Sequence, residues 1–139
     1  IVWMMLVPAS GEKTTEFATN LSSASPYIVY IWLVFRFLGS TLTVPLAEEL
    51  AFRGYLLSKL SGSKPGTGGA IAFTWLSFLT SSILFGMFHG AWLAGTIAGM
   101  CYAFARYYRG KVGDAVLAHL TTNLLLSLYV LLTGQWSYW

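Results

Sequence analysis

Four runs of apolar residues, separated by short polar connectors, leave this chain few ways to fold. Segment A runs from Tyr27 to about Ala47 and contains Arg36. Segment B runs from Ala70 to Phe88 without a charge. Segment C runs from Ala91 to Ala105, and segment D from Ala115 to Leu132, interrupted by His119. A helix needs about 20 mostly apolar residues to cross the hydrocarbon core of a bilayer. Backbone facing lipid must satisfy its own hydrogen bonds, so continuous apolar runs predict helices, where a barrel would need alternating strands. Composition closes the other routes. Of the 139 residues, 56% are hydrophobic and 9% charged, against roughly 25% charged in a soluble domain. Such a chain cannot cover a water-facing surface, which excludes a soluble globular protein and a disordered one. A net charge of +3 supplies no stripe of cations for a phosphate backbone, so nucleic acid is excluded as a partner. A single cysteine, Cys101, excludes an internal disulfide framework and a cysteine-based zinc cluster. The expected architecture is all-α, a multi-pass transmembrane helical bundle.

The connectors divide the chain. Residues 1–26 read as the tail of an earlier apolar segment followed by a polar surface stretch, and residues 27–139 as the membrane core. The chain starts without Met, which fits a piece of a longer protein. Ser61 to Gly69 is a loop by composition, and Arg109-Gly110-Lys111 a tight basic turn. His89-Gly90 joins B to C with almost no linker. Four spans put the A–B and C–D connectors on one side. Arg53, Lys59 and Lys64 follow A, and Arg106, Arg109 and Lys111 follow C. These are most of the chain's cations, so the positive-inside rule makes both connectors cytoplasmic. Trp92, Trp136, Tyr138 and Trp139 fall at the opposite interface, as an aromatic belt would.

Ionisable groups inside a membrane each cost roughly 2.5–3.5 kcal/mol on insertion scales, so they are kept for pairing, for a cavity or for function. Here they are Arg36, Glu48, Glu49, Arg53, His89 and His119, with Asn123 as a polar companion. Glu49 and Arg53 are four residues apart and share a helix face, so they can pair. Glu48 is rotated about 100° away and lacks that partner, which leaves it free to act as a general base. The plainer alternative is a helix end with solvated charges. His89 ends segment B and reads equally well as an interface residue or a chemical one. His119 and Asn123, also four apart, present one polar patch that could either glue helices or face an oxyanion. Arg36 is cavity-facing or paired, with a partner the sequence does not name. Gly95 and Gly99 form a small-residue stripe for close helix packing. Together, a glutamate, two histidines and an amide are what water-activated hydrolysis of an amide bond needs.

These residues resemble a known family. Glu48-Glu49-x-x-x-Arg53, with Phe52 and Gly54 in place, then Phe85-x-x-x-His89, then His119-x-x-x-Asn123 is the motif order of the CAAX protease and bacteriocin-processing family. That family includes the type II CAAX prenyl endopeptidases and bacterial proteins of the Abi group. The resemblance covers Val44 to Asn123. It implies an intramembrane endopeptidase with a four-helix catalytic core, acting on a protein or peptide substrate within the lipid bilayer. It implies that Glu48 activates water with His89 assisting, that Glu49 and Arg53 support the site, and that His119 and Asn123 stabilise an oxyanion. No cofactor is implied by the glutamate mechanism. Glu48, His89 and His119 could alternatively supply a zinc set, although no H-E-x-x-H is present. A non-enzymatic immunity or scaffold protein is the remaining alternative.

Upright helices set a conflict. Segment C spans roughly 27 Å from Ala91 to Arg109 at 1.5 Å per residue, which would hold His89 far from Glu48. Shared chemistry needs strongly tilted helices, a His89-Gly90 turn sunk into the bundle, or a kink at Pro45.

Overall fold

The computed structural model describes residues 2–64 and 70–139. It is all-helical, with no strand among the described residues. Two short N-terminal helices, α1 (Val2–Leu6) and α2 (Gly11–Ser23), precede the long helix α3 (Pro26–Leu60). Then come α4 (Trp75–Met87), α5 (Trp92–Arg109), α6 (Val112–Thr133) and a closing 3-10 turn, Trp136–Tyr138. Among the described residues, α3 and α6 are long and apolar enough to cross a membrane.

Segment A was expected to stop near Ala47, but the helix continues to Leu60. It stays continuous through Pro45 by widening into a π-turn at Gly39–Thr43, and it widens again at Leu50–Leu56. Both carboxylates sit on the short α-helical stretch Val44–Glu49 between these two turns. They are therefore in mid-helix, and the reading of a solvated helix end falls away. Segment B was expected to begin at Ala70, but α4 begins at Trp75. Thr74 is its cap, its hydroxyl accepting the Ser77 N–H at 3.1 Å. The part of the Ser61–Gly69 loop from 65 to 69 lies outside the described residues.

The short α4 resolves the conflict over His89. Thirteen residues rise only about 20 Å, well short of a bilayer's hydrocarbon thickness. The hairpin of α4 and α5 therefore turns back part-way along α3, and the His89-Gly90 turn sits at the level of Glu48. Glycine makes the hairpin tight. A Cβ on Gly86 would collide with Thr96 Oγ1 and lie 2.5 Å from the Trp92 carbonyl, and one on Gly95 would lie 3.0 Å from Gly86 Cα. The expected small-residue packing at Gly95 and Gly99 is thus present, with Gly86 as its counterpart.

The other contacts follow from this frame. α5 packs on α6, and α6 on the middle of α3. Ser77 and Tyr107 bridge the start of α4 and the end of α5 at 2.7 Å, which brings the two basic connectors to one end of the bundle. At the other end Phe17 of α2 packs on Trp32 and Trp136, and Trp32 on Trp139. Trp92 is absent from that cluster and stands instead at the α4–α5 turn. In the N-terminal stretch, α1 packs on α5, and Trp3 meets the His89 ring edge-on. The burial pattern is inverted relative to a soluble protein. Glu49, Arg53, Ser77, Ser81 and Ser82 are fully buried, while Phe88, Leu93 and Leu132 are exposed.

Candidate active site

The site is two adjoining environments built on consecutive residues of α3. Glu49 faces inward. Its Oε1 accepts from Arg53 Nη1 at 3.0 Å and contacts His119 Nδ1 of α6 at 2.9 Å. Glu49 and Arg53 have no solvent exposure. Arg53 also donates from Nη2 to the Gly99 carbonyl at 2.8 Å, and its guanidinium lies 4.2 Å from the centre of the Phe85 ring. That approach requires glycine: a Cβ at position 99 would sit 3.1 Å from Arg53 Nη2. The His119 ring stacks on Tyr102, with centroids 4.5 Å apart and planes inclined by 13°. Buried charge demands this degree of pairing, because an ion left without partners in low dielectric is strongly destabilising.

Glu48 points the other way. Its Oε2 is buried, has no hydrogen-bond partner among the described residues, and lies 3.9 Å from His89 Nε2. The His89 ring is fixed from behind. Its Nδ1 lies 2.8 Å from the Phe85 carbonyl, which can only accept, so Nδ1 carries a proton. A ring of this tautomer presents its Nε2 lone pair toward Glu48. A gap of 3.9 Å is too long for a direct hydrogen bond and suits one shared water.

His89, His119 and Asn123 line one cavity of about 710 Å³, together with Phe85, Tyr102 and Ser40. His119 and Asn123 do not act as a joined pair in this conformation, since their polar contacts diverge. His119 turns to Glu49, while Asn123 Nδ2 donates to the Ser40 carbonyl at 2.8 Å. The π-turn explains that second bond. Val44 N–H serves the Gly39 carbonyl, and the next donor in the same pattern would be Pro45, which has no N–H. The Ser40 carbonyl is left over, and Asn123 caps it. The second N–H of the amide remains available to a ligand in the cavity.

Among the described residues no group of three from His, Cys, Asp and Glu converges to hold a metal ion. His119 Nδ1 is committed to Glu49, and Glu48 meets His89 alone. Cys101 lines the cavity wall without a base beside it.

Sequence reasoning missed Tyr102, the Gly99 carbonyl and Trp3. The first two carried a signal: Gly95, Gly99 and Tyr102 recur at helical spacing on one face of α5. Trp3 carried none, because nothing local to it points to His89.

A family model described as type II CAAX prenyl endopeptidase Rce1-like matches residues 30–125. No curated protein and no solved structure matches the chain. The match begins within α3, takes in both carboxylates and both histidines, and ends in α6 just past Asn123. The chain belongs to the type II CAAX prenyl endopeptidase Rce1-like family.

Proposed function

We propose that this membrane protein, from a family of CAAX-type peptidases, is an intramembrane endopeptidase that cleaves a peptide bond with a Glu48-activated water. The observation that carries this reading is the unpartnered Glu48 Oε2 lying 3.9 Å from His89 Nε2, a residue that lines a large cavity. Water held between the two groups gives its proton to Glu48 as its oxygen attacks the substrate carbonyl. The tetrahedral intermediate then collapses, and Glu48 returns the proton to the leaving amine. His119 and the free Asn123 N–H face the same cavity and would stabilise the oxyanion. Glu49 holds His119 in orientation, and Arg53 holds Glu49. The core is the four helices α3 to α6 in a multi-pass arrangement. The Lys59–Lys64 and Arg109–Lys111 connectors are cytoplasmic, supported by their gathering at one end of the bundle.

The test is Glu48→Gln, assayed on a mixed hexapeptide pool in detergent micelles with products read by mass spectrometry. Loss of a general base lowers the rate by roughly 10²–10⁴-fold. Cleavage at the unmutated rate by Glu48→Gln overturns the assignment. Cleavage lost on exhaustive chelation and restored by zinc would replace it with the zinc reading.

A further inference from the structure

Tyr102 of α5 has no part in the chemistry above, yet it holds α6 at two points. Its ring lies face to face with His119, the centroids 4.5 Å apart and the planes inclined by 13°. Its hydroxyl hydrogen-bonds the side chain of Thr122, three residues further along α6 and on the same helix face. Thr122 Oγ1 already donates to the Ala118 carbonyl at 2.9 Å, so toward the phenol it accepts. Tyr102 is buried, and it lines the cavity together with His119 and Thr122.

A histidine needs this second hold. The contact of His119 Nδ1 with Glu49 Oε1 fixes one atom of the ring. The torsion that turns an imidazole about its Cβ–Cγ bond has broad minima, so one hydrogen bond lets the plane swing. The face of Tyr102 sets that plane, with the Phe85 ring edge-on at 5.7 Å and 77°. With Nδ1 turned to Glu49, Nε2 is the ring nitrogen left to meet an oxyanion, and the plane decides where it points. A misplacement of about 1 Å in such a group costs up to ~100-fold in rate.

We propose that Tyr102 is a positioning residue for peptide cleavage. The face of its ring, anchored through the hydroxyl at Thr122, fixes the imidazole plane of His119 so that Nε2 meets the oxygen of the tetrahedral intermediate. The inference rests on the proteolytic reading for what Nε2 meets, whereas the fixing of the ring does not depend on it.

Two measurements on protein in micelles test it. With the mixed hexapeptide pool, Tyr102→Leu should lower the maximal rate by roughly 10- to 100-fold and leave the half-saturating concentration within about 2-fold. Tyr102→Phe keeps the ring face and should stay within about 3-fold of the unmutated rate. The second measurement needs no cleavage. The chain has two histidines, so histidine-labelled protein gives one Cε1–H signal for each by NMR, and His89→Gln identifies that of His119. Stacking on an aromatic face moves that signal upfield. The upfield position should persist in Tyr102→Phe and vanish in Tyr102→Leu. An unchanged maximal rate in Tyr102→Leu, an equal loss in both variants, a change confined to half-saturation, or a His119 signal that is the same in all three proteins overturns the proposal. If Tyr102→Leu fails to fold, the unmutated protein and Tyr102→Phe still decide: a His119 signal at the ordinary imidazole position in either one overturns it. A signal pattern that holds while the unmutated protein cleaves nothing would sink the peptidase reading and leave the fixing of His119 by Tyr102 standing.

Discussion

The two faces of α3 at Glu48 and Glu49 make a natural comparison. Around Glu49 the bundle is closed: helix α5 supplies a carbonyl, α6 an imidazole, and Phe85 and Tyr102 seal the ring of contacts. Around Glu48 the contacts are fewer, with one imidazole at water-bridging distance, and the cavity is lined by that His89 as well as by Phe85, Tyr102 and His119. One residue of helical rotation separates a carboxylate paired with Arg53 and His119 from the one proposed to activate water. The closed side fixes ring and backbone positions, and the open side inherits that rigidity without sharing its hydrogen bonds. A short α4 is what allows both, because its turn delivers His89 to the middle of α3 and leaves space beyond.

The largest effect that sharpens this contrast is on folding. Glu49→Gln strands the buried Arg53 guanidinium, and breaking a buried pair by removing one partner costs about 3–5 kcal/mol. Glu48 has no such partner, so Glu48→Gln should change stability by less than about 1 kcal/mol while removing activity. Chemical or thermal unfolding of both variants in micelles measures the difference. Equal stability losses would mean that the two carboxylates share one network, and the division into a structural and a reactive group would fail.

Part of this division was legible from spacing. Glu49 and Arg53 are four apart, so their pairing follows from one helix alone, and so does the exclusion of Glu48 from it. The bond between Glu49 and His119 crosses 70 residues of sequence and two helices, and no local pattern reports it. The course of α3 was misjudged because a charged pair after an apolar run looks like a membrane boundary, whereas here burial by α5 and α6 keeps the helix going. The start of α4 was more readable than its expected boundary at Ala70, since Thr74 and Ser77 have the spacing of a helix cap. Asn123 reads as inward-facing from its i,i+4 relation to His119. Its attachment to the Ser40 carbonyl depends on a missing N–H at Pro45 that matters only once the helix passes through it.

The next effect tests whether the sunken turn sets the open side. Gly86→Ala places a methyl against the Trp92 carbonyl, a backbone atom that cannot move without opening the hairpin. Overpacking of this kind costs about 3 kcal/mol. Because the strain acts where His89 is held, activity should fall at temperatures where the variant is still folded. Gly113→Ala is the comparison, since a Cβ there meets nothing within 4 Å. Unchanged activity in folded Gly86→Ala would show that the hairpin's close approach does not position His89.

The smallest effect probes the bond between α6 and the first half of α3. Asn123→Ala leaves the Ser40 carbonyl without a donor, and an unsatisfied buried acceptor costs about 1–3 kcal/mol. Pro45→Ala would restore the N–H that the π-turn lacks, offering Ser40 a partner from its own helix. The two changes should therefore be non-additive. Asn123→Ala should destabilise the Pro45→Ala protein by at least about 1 kcal/mol less than it destabilises the unmutated one, a coupling within the range expected for groups sharing one hydrogen bond. Unfolding of the four proteins of the cycle gives that number directly. Cleavage is the second readout, and it separates structure from chemistry. If Asn123 acts only as a cap, the double variant recovers activity along with stability; if its second N–H also meets the oxyanion, stability returns and activity does not.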